Sequence, residues 1–329
     1  MARYSFIKVF KIFFCSILFL NGGLYAAEQN GASKYNLVSK NGPHDYIHSI
    51  HFDGGKGIAV GNHGLVMTTT NSGLAWNKLS NKEFKESLFS AVIKNGKCIA
   101  VGQVGFIAKS DDCAAWKVIK PITTERLLSV SVNSKGQAIA VGGFGVMLIS
   151  NNWGESWEPV NSPWRNFQNL SADPHLYKAH ITDDGVITVA GEFEVIARSN
   201  DLGKSWKLIH SGARSLFGMY VYQNGDLVAV GQEGLIANFK SGKWTESKTN
   251  TAALLTDVWA TPDGKNIYVA GMRAALSSGD YGQSFAQEKE RAIVSNSFTS
   301  IGGLVDEKNQ KKIYVSGIAG LIFSIKERE

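Results

Sequence analysis

Short apolar runs that end in glycine recur along the chain, and each is followed by a polar turn and another apolar run. The runs end at Gly61, Gly102, Gly142, Gly191, Gly231, Gly271 and Gly317, with spacings of 41, 40, 49, 40, 40 and 46 residues. Runs such as CIAVG are short and rich in branched apolar side chains, which is typical of buried strands. A second glycine usually closes the turn, as in GQVG, because glycine accepts backbone angles that other residues avoid. Since another apolar run such as LFSAVI lies ahead of each glycine run, every unit predicts strands A, B and C in antiparallel order.

A second motif follows most of these hairpins and reads Ser/Thr-x-Asp/Asn-x-Gly, with Trp or Phe three residues after the glycine. Its copies comprise Asn71, Gly73 and Trp76; Asn152, Gly154 and Trp157; Asp201, Gly203 and Trp206; and Asp280, Gly282 and Phe285. A weaker copy ends at Trp116, with Asp111 at the acid position and Cys113 at the glycine position. The motif is similar to the Asp box of BNR repeats, a turn whose acid accepts backbone N–H groups and whose aromatic side chain packs inward. We therefore interpret these residues as structural, and Asp201 and Asp280 as turn residues rather than catalytic acids.

A strand D after each Asp box gives four antiparallel strands per unit, and seven such units predict a ring of blades. The last unit stops after strand C, while the segment YNLVS at 35–39 precedes the first strand A and supplies the missing strand D. Such a closure removes two exposed sheet edges, which an open β-solenoid would leave. We predict an all-β fold: a single seven-bladed β-propeller over residues 34–329, with four-stranded antiparallel blades and a ring closed by an N-terminal strand.

The N-terminus has the pattern of a secretory signal. Arg3, Lys8 and Lys11 precede the nine-residue apolar run IFFCSILFL, which is too short to span a bilayer. We predict a cleaved signal peptide at residues 1–27 and a short linker at 28–33, which would place the chain in the periplasm or outside the cell. An uncleaved N-terminal anchor is the alternative.

Composition agrees with many tight turns, because glycine accounts for 35 of the 329 residues and proline for only 6. The formal charge of +6 falls to +3 without the signal peptide, which is too mild to indicate a nucleic-acid partner. Walker loops, H-E-x-x-H and G-x-S-x-G motifs are absent from the sequence, so we expect neither a cofactor nor a metal nor catalytic residues.

Two cysteines remain after the signal peptide, Cys98 and Cys113, fifteen residues apart in one repeat. An oxidising compartment favours a disulfide between them. Two free thiols, one of them buried in a strand, are the alternative.

The B–C turns and the linkers between blades share one face, the top, while the Asp boxes and A–B turns share the bottom. The candidate protein-binding residues lie on the top: Arg126, Trp164, Arg165, Phe167, Arg214 and Arg273. The four arginines come from different blades and are suited to bind carboxylates. The insertion at 161–176 carries Trp164 and Phe167, which either form a contact patch or fold back over the centre of the ring.

Over residues 34–329, the chain resembles the photosystem II stability and assembly factor-like propellers. The resemblance rests on the seven glycine-turn and Asp-box units, the strand that closes the ring and the secretory leader. The resemblance implies a non-enzymatic exported scaffold, a monomer, that binds a protein client from the periplasmic side and assists assembly or stability of a membrane protein complex. It also implies a basic patch on one face that contacts the client. The alternative is a carbohydrate-binding or sialidase-like glycoside hydrolase propeller, since sialidases also carry Asp boxes. Against a hydrolase, Tyr46, Tyr177, Tyr220 and Tyr222 have no obvious acid partner in the sequence.

Overall fold

The computed structural model describes residues 33–80, 84–167, 170 and 172–326. The predicted signal peptide and all but the last residue of the linker lie outside these residues.

The described chain forms seven four-stranded antiparallel sheets, which confirms the predicted β-propeller. Blade 1 contains β2 (Ile47–Asp53), β3 (Lys56–Gly61), β4 (Val66–Thr69) and β5 (Asn77–Lys78); blade 2 contains β6 (Leu88–Lys94), β7 (Lys97–Gly102), β8 (Ile107–Ser110) and β9 (Lys117–Ile119); blade 3 contains β10 (Leu127–Val132), β11 (Ala138–Gly142), β12 (Met147–Ser150) and β13 (Glu158–Pro159). Blade 4 contains β14 (Leu176–Ile181), β15 (Ile187–Gly191), β16 (Ile196–Ser199) and β17 (Lys207–His210); blade 5 contains β18 (Leu216–Val221), β19 (Leu227–Gly231), β20 (Ile236–Lys240) and β21 (Lys243–Glu246); blade 6 contains β22 (Leu255–Ala260), β23 (Ile267–Gly271), β24 (Ala274–Ser278) and β25 (Ala286–Gln287). A short helix, α1 (Arg291–Val294), lies in the linker to blade 7.

Blade 7 is built from both ends of the described chain. It contains β26 (Phe298–Val305), β27 (Lys311–Gly317), β28 (Ile322–Ile325) and, as its outermost strand, β1 (Tyr35–Ser39). Strand β1 runs antiparallel to β28, with Tyr35 opposite Ile325 and Leu37 opposite Phe323. The N-terminal strand therefore closes the ring, as the incomplete last repeat predicted.

The hydrophobic core lies between neighbouring blades. The first residue of every innermost strand is fully buried; these residues are Ile47, Leu88, Leu127, Leu176, Leu216, Leu255 and Phe298. A register shift follows each of them, and such a bulge increases the local twist of the strand. Each innermost strand contacts that of the next blade, and β26 contacts β2, so the buried layers continue around the whole ring.

The Asp-box turns are held by their own hydrogen bonds. In blade 4, Ser199 Oγ accepts the Gly203 N–H at 2.8 Å and Asp201 Oδ1 accepts the Ser205 N–H at 2.8 Å. Asn71, Asn152 and Asp280 accept the equivalent bonds in their blades. Hydrogen bonds from Ser205 lower the pKa of Asp201 to about 2. This carboxylate is stabilised in its ionised form as part of a turn, which is the structural role expected for it.

The weak Asp box of blade 2 differs from the expectation. Asp112, not Asp111, accepts the turn hydrogen bonds, from the N–H groups of Ala114 and Ala115 at 2.9 and 2.8 Å. Asp111 instead pairs with Lys97 and Lys109. The turn is one residue shorter than the others between the acid and the tryptophan, so counting back from Trp116 selected the wrong aspartate. Cys113 accordingly lies before the glycine position, at φ 60°, where blade 4 has Leu202 at φ 56°.

Cys98 and Cys113 form a disulfide with an S–S distance of 2.01 Å, which confirms the predicted pair. The bond joins β7 to the Asp-box turn of the same blade. Both residues are buried in the cluster between blades 1 and 2.

Candidate functional site

The B–C turns and the linkers between blades form one continuous surface, the top rim. Backbone hydrogen bonds join several of these turns to the linker that leads to the next blade. The Gly64 N–H donates to Glu86 O at 2.9 Å, and the Gly105 N–H donates to Glu125 O at 2.8 Å. A side chain on either glycine would collide with the linker, since a Cβ on Gly105 would lie 1.9 Å from Thr123 O. The glycine that closes the turn therefore permits this close contact.

One residue at the tip of each B–C turn has a left-handed backbone, with φ between 50° and 57°. These seven tip residues are His63, Val104, Phe144, Phe193, Glu233, Arg273 and Ala319. Their chemistry differs around the ring. Val104 and Phe144, on blades 2 and 3, are exposed apolar side chains, whereas Glu233 and Arg273, on blades 5 and 6, are exposed charges. The top rim thus has an apolar side and a charged side.

The four candidate arginines fall into two groups. Arg126, Arg165 and Arg273 are exposed on the top rim, whereas Arg214 is only partly exposed and is held by two carboxylates. Within residues 33–80, 84–167, 170 and 172–326, neither Arg126 nor Arg165 forms an ion pair. The guanidinium of Arg273 donates to Val294 O at 3.4 Å. Three of the four arginines therefore present their charge to solvent.

Arg214 belongs to a buried network around Glu194, which occupies the position of the turn-closing glycine in blade 4. Glu194 accepts hydrogen bonds from Arg214 Nε at 2.8 Å and from the Arg214 N–H at 3.2 Å, and lies 3.1 Å from His210 Nε2. Burial opposes ionisation of Glu194, but the hydrogen bonds from Arg214 and His210 outweigh it and hold its pKa below the ordinary value. Hydrogen bonds to Glu194 and Glu246 raise the pKa of Arg214. Arg214 therefore fixes the linker to blade 5 and is not available to a partner.

The insertion at 161–176 folds its apolar side chains back onto the propeller. Trp164 is 1% exposed, and its indole N–H donates to Gly145 O at 3.0 Å. Phe167 is partly buried against the apolar cluster of blades 3 and 4 that contains Trp164, and the two ring centroids are 6.0 Å apart. The loop therefore does fold back, but it packs against blades 3 and 4 and not over the centre of the ring. The prediction that Trp164 contacts a partner is wrong, because its side chain is buried. Arg165 lies between these two anchors in the chain and is exposed.

A cleft on the apolar side of the top rim lies between blades 2, 3 and 4, and we call it the rim cleft. Its walls include Val104, Arg126, Leu128, Phe144 and His175, and its volume is about 580 Å3. The Phe144 N–H donates to His175 Nδ1 at 2.9 Å, and the two rings meet edge to face at 4.6 Å. Because Nδ1 accepts this bond, the neutral imidazole carries its proton on Nε2. The tip of blade 3 is thereby fixed to the linker residue that directly precedes β14.

Tyr177, which also lines the rim cleft, corrects one expectation from the sequence. Its hydroxyl donates to Glu192 Oε1 at 3.4 Å, so one tyrosine does have an acid partner. Burial and the neighbouring Glu192 raise the pKa of Tyr177 to about 12. Glu192 Oε2 also accepts the His175 N–H at 2.8 Å. The pair holds the linker in place with a neutral phenol, the opposite of an activated nucleophile.

The central channel beneath the top rim is crossed by an ion pair between blades 4 and 6. Lys178 Nζ lies 2.7 Å from Asp257 Oδ1, and Asp257 also accepts from Ser300 Oγ at 3.0 Å. Burial lowers the pKa values of His51 and His180 to about 4, so both line the channel as neutral rings near pH 7. Lys178 and Asp257 therefore neutralise each other's charge inside the channel.

The described ranges contain no group of three or more His, Cys, Asp or Glu side chains that could hold a metal ion. Among the same residues, no helix is both long enough and apolar enough to cross a membrane.

Comparisons with known proteins identify structural relatives only. No family model and no curated protein matches the chain. The solved structure "YCF48 bound to D1 peptide" matches with a TM-score of 0.70 and 17% identity, covering 91% of this chain and 98% of that chain. YCF48 from Cyanidioschyzon merolae matches with a TM-score of 0.70 and 15% identity, covering 89% and 99%. The chain is thus similar in fold to YCF48 over nearly the full length of both proteins.

Proposed function

We propose that this chain is an exported, non-enzymatic scaffold that binds a segment of a protein client on its top rim. By this binding it would assist assembly or stability of a membrane protein complex from the periplasmic side. The observation that carries the proposal is the likeness in fold to YCF48, a photosystem II assembly factor whose structure is known with a bound D1 peptide.

The distribution of unpaired groups favours the top rim over the bottom. The Asp boxes of the bottom face direct their acids into their own turns, as Asp201 and Asp280 show. On the top rim, Arg126, Arg165 and Arg273 expose their guanidinium groups. Arginine binds carboxylates with two parallel hydrogen bonds, so this rim fits an acidic client segment.

The alternative of a sialidase-like hydrolase has less support. Such a site needs several arginines around one sugar carboxylate and an activated tyrosine. Arg214 is committed to Glu194 and Glu246, and the pKa of Tyr177 is raised rather than lowered.

Charge reversal tests the proposal. The variant Arg126→Glu/Arg165→Glu/Arg273→Glu alters the exposed arginines of the top rim and avoids Arg214, whose loss would disturb the fold. The matched control, Lys135→Glu/Lys204→Glu/Lys265→Glu, reverses three exposed charges at A–B turns and an Asp box on the bottom. Both variants and the wild type are crosslinked in the native host, purified by affinity and analysed by mass spectrometry.

We expect the wild type and the lysine control to retain one membrane protein or complex, and the variant with three reversed arginines to lose it. Equal recovery by all three proteins would refute a basic client-binding rim. Recovery of envelope glycan in place of protein would favour the carbohydrate-binding alternative.

A further inference from the structure

We propose that the rim cleft is an anchor site for one large apolar side chain of an extended peptide segment, with an adjacent Asp or Glu of that segment bound by Arg126. This inference rests on the proposed function and specifies the kind of client segment that the top rim recognises. It does not depend on the other arginines of the rim.

The two apolar tips have an unfavourable backbone conformation for their side chains. Val104 has φ 52° and Phe144 has φ 50°, a left-handed conformation that glycine and asparagine adopt far more easily. A β-branched residue such as valine is among the least suited to it. Backbone strain of this kind concentrates at binding and catalytic sites, so large side chains retained there indicate a use for them.

More than half of the surface of each of these side chains is exposed. Val104 is 55% exposed and Phe144 is 65% exposed, although both are apolar. Tip residues of other blades, such as Ala319 and Glu233, show that the turn itself does not require a bulky apolar residue. The exposed areas of Val104 and Phe144 are therefore available to a ligand, whose binding would remove them from water.

The rim cleft has the size and the apolar lining of a ligand site. Leu128 and the Phe144 ring give it apolar surface, and its volume of about 580 Å3 falls within the usual range of ligand sites, roughly 300–1,000 Å3. This is more than one side chain fills, so part of a peptide backbone fits as well. Contacts of Phe144 with His175 fix one wall before any ligand arrives, which reduces the entropic cost of binding.

The charges around the rim cleft specify the second half of the ligand. Arg126 is exposed and lines the cleft, and no described residue forms an ion pair with it. Glu192 is engaged by the N–H of His175 and the hydroxyl of Tyr177. Among the described residues that line the cleft, Glu125 is the one acid, and its charge opposes an anionic ligand. Replacing Glu125 with glutamine should therefore strengthen binding of acid-bearing peptides.

Selection from a phage library of random twelve-residue peptides on the purified chain tests this proposal. We expect enriched peptides to contain a large aliphatic or aromatic residue next to Asp or Glu. Synthetic peptides with that pair should bind at least tenfold more weakly to Phe144→Gly and to Arg126→Gln, and more tightly to Glu125→Gln. Phe144→Gly should unfold at the same urea concentration as the wild type or a higher one, because glycine relieves the left-handed strain.

Tyr281→Gly is the matched control. Tyr281 is an exposed aromatic residue with φ 62°, but it lies in an Asp-box turn on the bottom face. Its replacement should leave peptide binding unchanged. The proposal is overturned if selection enriches no peptides, if the enriched peptides lack the apolar and acidic pair, or if they bind Phe144→Gly as well as the wild type. If the peptide tests fail but the top-rim charge-reversal variant still loses a client, only the anchor site is wrong. If the charge-reversal experiment fails as well, the proposed function is wrong too.

Discussion

Reduction of the Cys98–Cys113 disulfide offers a quantitative test of the structure. The bond closes a loop with a sequence separation of 15 residues. Removing such a crosslink increases the conformational entropy of the unfolded chain and lowers the free energy of unfolding by about 3 kcal/mol. Both cysteines are buried, 1% and 6% exposed, so the separated thiols also have to be accommodated in a packed region.

Urea unfolding followed by tryptophan fluorescence measures this effect. For a domain of this size, a denaturant slope of roughly 3 kcal/mol per molar urea converts the loss into a midpoint lower by about 1 M. The wild type is compared before and after treatment with dithiothreitol, and mass spectrometry verifies the reduction. The control, Cys98→Ala/Cys113→Ala, should not respond to dithiothreitol. Coinciding midpoints of oxidised and reduced wild type would refute the argument that this crosslink restricts the unfolded chain.

Two further predictions concern the top rim. Gly145→Ala should lower the free energy of unfolding by about 2–4 kcal/mol, because its Cβ would lie 2.2 Å from Trp164 Nε1. The control Gly242→Ala has nothing within 4 Å of its Cβ and should lower it by only about 1 kcal/mol, through backbone strain. Urea unfolding of both variants measures the difference. Glu194→Gln should destabilise the protein at pH 7 but not at low pH: the folded-state pKa of Glu194 lies below its unfolded value, so its stabilisation is complete above about pH 4.3 and disappears as the pH falls through the folded pKa. An unfolding difference between Glu194→Gln and wild type that is independent of pH would contradict the ion pair with Arg214.

The repeat made the fold predictable from the sequence. Seven glycine-ended runs at nearly constant spacing specified the number of blades, and the missing strand of the last repeat pointed to residues 35–39 as its partner. Short-range patterns suffice here because each blade is a local four-stranded unit. Counting residues back from the tryptophan failed in blade 2, where the Asp box is one residue shorter. The sequence therefore predicted Asp111 as the turn acid, whereas the structure has Asp112 in that role.

The site was less predictable, because side-chain exposure depends on contacts between blades. Trp164 looked like a contact residue in the sequence, yet it packs beneath the turn at Gly145. Arg214 looked free, but Glu194 replaces a glycine in the neighbouring turn and binds it. The sequence did carry one unused signal: the residue before the turn-closing glycine is apolar in GQVG and GGFG, which marks Val104 and Phe144 as exposed tips.

The measurement that tests the central claim most directly is site-specific photocrosslinking in the native host. A photoreactive amino acid is placed at the exposed position Thr124 in a linker of the top rim or, in a second strain, at the exposed position Gln283 in an Asp box on the bottom. Our account predicts that one client protein is crosslinked from position 124 and not from position 283. Crosslinking of that client from position 283 alone, or equally from both positions, would contradict the claim that the top rim is the binding surface.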